Sequence, residues 1–124
     1  MYTRITLFFV YLLLLFLPQA ETQTISCGEP FYDSGGPDAN YGSSESMEWN
    51  ICPDIEGEVV VIDFTLIDLE AGYDFLGVYS GIGTNDRIDA RVVSPEAFTS
   101  FSVDGCLTVT FQSDASVQLA GWEA

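Results

Sequence analysis

The sequence predicts an all-β protein, an antiparallel β-sandwich, and three observations lead to that class. Apolar residues recur with a period of two rather than 3.6. Turn-forming clusters of Gly, Pro, Asn, Asp and Ser separate the alternating stretches. The chain after residue 20 is about 100 residues long, which suits one small domain with a single core.

Three stretches carry the alternation that predicts half-buried strands. Their apolar positions fall on one face of each strand: Met47, Trp49 and Ile51 in "MEWNI", Val60, Ile62, Phe64 and Leu66 in "EVVVIDFTLIDLE", and Leu107, Val109 and Phe111 in "CLTVTF". Asp63 and Thr65 fall on the opposite face of the second stretch. Trp49 and Trp122 lie on strand patterns and are predicted to be core residues.

The segments between these strands have turn composition, as in "DSGGPDANYGSS", "CPDIEGE", "EAGYD" and "SGIGTND". Only "SPEAFTS" has the composition of a helical turn. No internal repeat or low-complexity tract marks a linker, so the pattern indicates one domain of short antiparallel strands.

Residues 1–20 have the pattern of a secretory signal peptide. Arg4 supplies a positive charge, and an apolar run from Leu7 to Leu17 follows it. That run is too short for a membrane-spanning helix, which needs about 20 residues. Cleavage is expected between residues 20 and 24, and the alternative is a retained N-terminal anchor. No later stretch is long and apolar enough to span a membrane, so we expect a secreted protein.

The charge of the chain is strongly one-sided. All 19 acidic residues follow residue 20, where only Arg87 and Arg91 oppose them, which gives this region a net charge of about −17. Such a charge repels phosphate backbones and anionic lipid surfaces, so we expect no nucleic-acid partner. The acids either serve solubility in a salty medium or attract a divalent cation.

The composition also restricts catalysis. The chain has no histidine and no lysine, which removes Ser–His, Cys–His and Ser–Lys nucleophiles. A pair of carboxylates, Asp68 with Glu70 or Glu70 with Asp74, has a spacing that glycoside hydrolysis would allow. A sandwich this small has little room for a deep cleft, so we predict that the chain is not an enzyme.

Several short motifs occur in an order that resembles the CUB domain, an extracellular jelly-roll-like β-sandwich. They are "CGEPFYDSGG", "VVVIDFTLIDLE", "YDFLGVYSG", "FQSDAS" and "GW", and together they span Cys27 to Ala124. The "CPD" and "GWEA" variants are similar to those of exported bacterial proteins. Gly72 stands where many animal members have a cysteine, so the second disulfide of those members is absent.

The resemblance implies a calcium site. The family's ligand positions correspond here to Glu70, Asp74, Asp114 and Tyr41, with Asp33 as a hydrogen-bonding support. Calcium binds six to eight oxygen ligands, and carboxylates from two loops at one end of a sandwich suit it. The alternative is that Asp74 and Asp114 only cap turns with their own backbone.

Three cysteines follow the signal segment, and three pairings are possible for them. The family pattern implies a Cys27–Cys52 disulfide, which leaves Cys106 over. Related variants with a cysteine at that position close with another cysteine just after the terminal strand. We therefore expect the domain, residues 27–124, to be truncated, with Cys106 unpaired or paired beyond Ala124; a buried free thiol or an intermolecular bridge are the alternatives.

The function that follows from the resemblance is a secreted, non-catalytic binding or adhesion module, calcium-dependent and part of a larger extracellular protein. Its partner would be an extracellular protein or a glycan. One alternative is a structural β-sandwich without an ion. The other is a carbohydrate-binding accessory domain of a secreted hydrolase, in which Tyr32, Tyr73 and Tyr79 would line the ligand surface.

Overall fold

A computed structural model describes residues 25–124, and the predicted signal peptide lies outside them. The regular secondary structure of these residues consists of β-strands and one 3-10 turn at Gly36–Asp38. The strands are β1 Ser46–Ile51, β2 Val61–Asp63, β3 Leu66–Asp68, β4 Phe75–Ser80, β5 Asp86–Asp89, β6 Ala97–Thr99, β7 Leu107–Gln112 and β8 Gly121–Glu123. Within this part of the chain, no helix has the length and apolar character needed to cross a membrane.

Every strand pair is antiparallel, which confirms the predicted fold class. A four-stranded sheet has the order β1-β7-β4-β5, and two smaller sheets pair β2 with β6 and β3 with β8. Buried side chains from the four-stranded sheet and from both small sheets belong to one hydrophobic cluster. The small sheets therefore form the second layer of a sandwich around a single core.

Aromatic rings fill the centre of this core. Trp49 of β1 and Trp122 of β8 are 2% and 1% exposed, and their rings meet edge to face with centroids 5.5 Å apart. Phe111 of β7 packs on Trp122 at 4.9 Å, and Phe31 contacts both tryptophans. Edge-to-face packing is the favoured geometry for such pairs. The predicted placement of both tryptophans in the core is confirmed.

The long stretch "EVVVIDFTLIDLE" is not the single strand that its alternation predicts. Val60, Ile62 and Phe64 are buried as expected, but Leu66 is 41% exposed. The chain leaves the β2–β6 sheet after Asp63 and joins β8 from Leu66 onward. Changing partners at this point shifts the inward positions by one residue, so Ile67 packs against the core instead.

The segment "SPEAFTS" is a strand and not a helical turn, so that prediction is wrong. Ala97–Thr99 form β6, and Phe98 is buried against the core opposite Ile62. Ser100 N donates to Val60 O at 3.0 Å and extends the pairing. Strand pairing with a distant segment overrides the local preference of so short a sequence.

The disulfide also differs from the predicted pairing, because Cys52 is bonded to Cys106 and Cys27 is an exposed free thiol. The register of β1 and β7 explains this. Ile51 pairs with Leu107 in antiparallel register. The residue after Ile51, Cys52, therefore lies opposite the residue before Leu107, Cys106, and their Cα atoms are 4.2 Å apart. Cys106 is 3% exposed and bonded within the chain, so the prediction that it is unpaired or paired beyond Ala124 is wrong as well.

Cys27 nevertheless lies beside this disulfide. Its thiol donates a weak hydrogen bond to the Cys52 carbonyl, with the sulfur 3.7 Å from the oxygen. All three cysteines therefore meet at one end of β1. Because Cys106 is paired with Cys52, it gives no support for a fourth cysteine beyond Ala124. The continuation of the chain stays a prediction.

Candidate metal centre

Three carboxylates meet at the end of the sandwich where β3 and β7 finish and β4 begins. Glu70 follows β3 by two residues, Asp74 directly precedes β4, and Asp114 follows β7 by two residues. β4 and β7 pair with Phe75 opposite Gln112, which sets the start of one strand beside the end of the other. Asp74 and Asp114 are thus neighbours because of sheet register, although 40 residues separate them.

A tight turn brings Glu70 to the same point as Asp74. The Glu70 carbonyl accepts hydrogen bonds from Tyr73 N at 3.2 Å and from Asp74 N at 3.0 Å. Gly72 within the turn has φ +86°, a left-handed conformation that glycine adopts without strain. The segment "EAGYD" thus forms a turn that places Glu70 and Asp74 side by side.

Asp74 and Asp114 are also joined directly. Asp114 N donates to Asp74 Oδ1 at 2.9 Å, and Ser44 N donates to the Asp114 carbonyl at 2.7 Å. Asp74 is only 6% exposed. Its buried carboxylate is held by the loop after β7, and that loop is held in turn by the segment before β1.

Tyr41 completes the frame of the site. Its ring is 2% exposed and packs edge to face on Phe111, with centroids 5.1 Å apart. Its hydroxyl donates to Asp74 Oδ2, and Glu70 N donates to that hydroxyl at 3.3 Å. Burial, with the Asp74 hydrogen bond as the next cause, raises the pKa of Tyr41 to about 12. The phenol therefore stays protonated and orients Asp74.

The carboxylate oxygens of Glu70, Asp74 and Asp114 converge. One oxygen from each lies within 4.8 Å of the other two. Glu70 Oε2 is buried and has no hydrogen-bond partner among the described residues. Burial, followed by the Asp114 and Asp74 carboxylates, raises the pKa of Glu70. A cation placed among the three would neutralise this repulsion and give the unpartnered oxygen a ligand role.

The other acids named from the sequence lie elsewhere. Asp68 Oδ2 accepts from Ala120 N at 3.3 Å, and Asp68 is not part of the converging group. Asp33 accepts from Gly35 N at 2.7 Å and from Trp122 N at 3.1 Å, so it supports the opening loop and β8. Asp114 does cap its own turn, through Ser116 N at 2.9 Å, whereas Asp74 caps a different loop.

The predicted tyrosine surface is not formed as one site. Tyr32 bridges to Glu123 of β8, Tyr73 is 61% exposed in the turn before β4, and Tyr79 lies within β4 on the four-stranded sheet. The sequence also gave no sign of the Tyr41 hydrogen-bond network, because it depends on the packing of the Tyr41 ring against β7.

The family comparison identifies a match that includes every described residue. The family model of the CUB domain matches residues 22–124. The chain is also similar to the full extracellular region of zebrafish Gpr126/Adgrg6, with 25% identity and a TM-score of 0.66. That match covers 85% of this chain and 14% of the zebrafish one.

Two further solved structures share the fold. The CUB1-EGF-CUB2 domains of rat MASP-1 have 22% identity and a TM-score of 0.62, covering 83% of this chain and 41% of that one. The MASP-1 CUB2 domain bound to Ca²⁺ has 20% identity and a TM-score of 0.56, covering 82% and 93% of the two chains. This chain thus spans 14% of the zebrafish structure and 41% of the rat one.

Proposed function

Because this chain belongs to the CUB domain family, we propose that it is a secreted, non-catalytic binding module whose partner-facing loops are ordered by calcium. CUB domains are modules of larger extracellular proteins, and the zebrafish structure that this chain resembles is one such region. The ion would be held by Glu70, Asp74 and Asp114, with Tyr41 orienting Asp74.

The observation that carries this proposal is the buried, unpartnered Glu70 Oε2 within a group of three converging carboxylates. Buried polar atoms are nearly always hydrogen-bonded, so an orphan oxygen beside two other carboxylates favours a bound cation. The sequence offers few cations to compensate these acids, because it contains no lysine and no histidine and only Arg87 and Arg91 follow residue 20.

The donor set indicates which cation fits. All three side chains offer carboxylate oxygen, a hard ligand that suits calcium and magnesium and does not favour zinc or copper. Magnesium needs a near-ideal octahedron, whereas calcium accepts irregular sets of carboxylates, backbone carbonyls and water. The three acids come from a tight turn and a strand-end loop, an irregular arrangement that suits calcium better.

Binding of the ion would tie three separate segments together. These are the segment before β1 that bears Tyr41, the Glu70–Asp74 turn, and the loop after β7 that bears Asp114. Without the ion their carboxylates repel one another, and with it they hold one geometry that a partner protein can recognise. The calcium-bound MASP-1 CUB2 domain, which shares this fold, supports the choice of ion.

Thermal melting and titration calorimetry test the proposal. Calcium at about 100 times its dissociation constant stabilises a protein by about 2.7 kcal/mol, and 1 kcal/mol corresponds to about 4–8 °C for a domain of this size. The melting temperature in millimolar calcium should therefore exceed that in chelator by at least several degrees. Magnesium at the same concentration should give a smaller shift.

Asp74→Ala should abolish both the heat of calcium binding and the melting shift. Asp63→Ala is the matched control, because Asp63 is an exposed acid in β2 and should leave both signals intact. An unchanged melting temperature and no binding heat at millimolar calcium would show instead that the domain is a sandwich without an ion.

A further inference from the structure

A shallow groove runs over the outer face of the four-stranded sheet, on the side away from the core. Its volume is about 550 Å³, within the usual range for small-molecule sites. The register sets its floor in rows across three strands: Glu48, Thr110 and Gly77 form one row, and Ser46, Gln112 and Phe75 the next. The groove is thus built on paired strands, which are rigid elements.

The ring of Tyr79 reaches over Gly77 on this floor. A methyl group built on Gly77 would be 3.2 Å from Tyr79 Cε2 and 2.8 Å from Thr110 Oγ1. The Tyr79 ring therefore occupies the space above Gly77, which only a glycine leaves open. Tyr79 is half-buried, so part of its ring stays accessible, and this part is the stacking platform of the groove.

Polar groups surround this platform. The exposed side chains of Glu48 and Gln112 lie in neighbouring rows, and they supply a carboxylate acceptor and an amide that both donates and accepts. The Arg91 guanidinium lies over the Phe75 ring, 4.7 Å from its centroid, and brings donors to the other wall. Donors and acceptors thus flank the half-buried Tyr79 ring.

One end of the groove is closed by the loop after β4. Thr108 Oγ1 donates to Gly81 O at 2.8 Å or Asn50 Oδ1 at 2.7 Å, and it accepts from Gly83 N at 2.9 Å. These contacts fix the loop that brings Thr84 to the rim. A ligand would therefore enter from the solvent side or from the Phe75 end.

We infer that this groove is a saccharide-binding site, distinct from the carboxylate cluster. A pyranose ring has an apolar C–H face that stacks on an aromatic ring, and hydroxyls at its edge that need both donors and acceptors. Tyr79 supplies the first requirement, and Glu48, Gln112 and Arg91 supply the second. The ligand class is a neutral oligosaccharide, because a chain with a net charge of −16 repels anionic glycans.

A glycan array carrying neutral, sialylated and sulfated oligosaccharides tests the inference, followed by calorimetry with the strongest neutral glycan. Tyr79→Ala and Gln112→Ala should each weaken binding at least tenfold, whereas Tyr79→Phe should keep most of it. Phe101→Ala is the matched control, since Phe101 is a 69% exposed aromatic that follows β6 and does not line the groove. Melting curves confirm that each variant is folded.

The calcium dependence separates this site from the carboxylate cluster. Glycan binding should persist in chelator and in Asp114→Ala, which removes a proposed calcium ligand. Binding that disappears in either case would place the glycan at the carboxylate cluster and overturn the inference. So would an array that shows no neutral glycan, a preference for acidic glycans, or binding that is unchanged in both Tyr79→Ala and Gln112→Ala.

Discussion

At the scale of single residues, Tyr41 shows how one buried hydroxyl joins two loops. It donates to Asp74 and accepts from Glu70 N, so both acids depend on its position. Tyr41→Phe keeps the ring packing on Phe111 but removes both hydrogen bonds. The loss of hydrogen bonds to a charged group costs about 1.5–3 kcal/mol, so calcium affinity should fall by about tenfold or more.

Calorimetric titration of Tyr41→Phe with calcium checks this. Tyr73→Phe is the control, because Tyr73 is exposed and its side chain lies outside the network. An affinity in Tyr41→Phe equal to that of the unchanged protein would mean that Tyr41 contributes only packing.

Asp33 is a second buried residue with a defined task. Its carboxylate accepts from the backbone N–H groups of Gly35 and Trp122 and so fastens the opening loop to β8. Burial raises its pKa, and these two hydrogen bonds lower it in part. Asp33→Ala would leave the buried N–H of Trp122 without a partner and should lower the free energy of unfolding by about 1–3 kcal/mol.

Urea denaturation in chelator measures this loss without interference from calcium. The exposed Asp63→Ala, at a position without such contacts, should stay within about 0.5 kcal/mol of the unchanged protein. A comparable loss in both variants would indicate a general charge effect and not the specific fastening of β8.

At the scale of elements, the β1–β7 pair decides the disulfide, and this gives a direct prediction. Peptide mapping without reduction should find Cys52 linked to Cys106, and Cys27 should react with a maleimide in the native state. The loop between the bonded residues spans 54 positions, for which chain entropy suggests a stabilisation of about 4 kcal/mol. Cys106→Ser should therefore lose several kcal/mol and Cys27→Ser little; a recovered Cys27–Cys52 peptide would contradict the assignment.

Alternation in the sequence predicts β1 and β7 well, because each strand pairs along its full length and keeps one face inward. It fails at the junction of β2 and β3, where the chain passes from one small sheet to the other within two residues. It also fails at β6, which has three residues and no local signature. Both failures involve pairing between distant segments, which a local pattern does not contain.

The carboxylate site also combines features that the sequence indicates with features that depend on the pairing of distant segments. The sequence motifs indicate Glu70, Asp74 and Asp114 through their resemblance to a family, and the structure brings these three together. Spacing alone could not have done so, since their proximity depends on the β4–β7 register and the turn at Gly72. The prediction of the disulfide failed for a related reason, because the observed Cys52–Cys106 bond depends on the register of β1 against β7.

At the scale of the whole molecule, the net charge of −16 acts against the compact state through self-repulsion. Salt screens this repulsion, with a Debye length of about 10 Å at 0.1 M and 30 Å at 0.01 M. In chelator, the melting temperature should therefore rise by several degrees between 10 mM and 300 mM NaCl. An equal osmolality of sorbitol is the control, and a rise no larger than that in sorbitol would contradict the charge argument.

The meeting of three cysteines at the end of β1 has a consequence for biosynthesis. The chain is synthesised from its N-terminus, so Cys27 and Cys52 can react with each other before Cys106 is made. In the secreted protein proposed above, we expect them to form the first disulfide. The native bond then requires an exchange in which the Cys106 thiolate attacks the Cys52 sulfur and Cys27 leaves as a thiolate. Acid trapping of newly synthesised chains under oxidising conditions should find the Cys27–Cys52 isomer early and the Cys52–Cys106 isomer late.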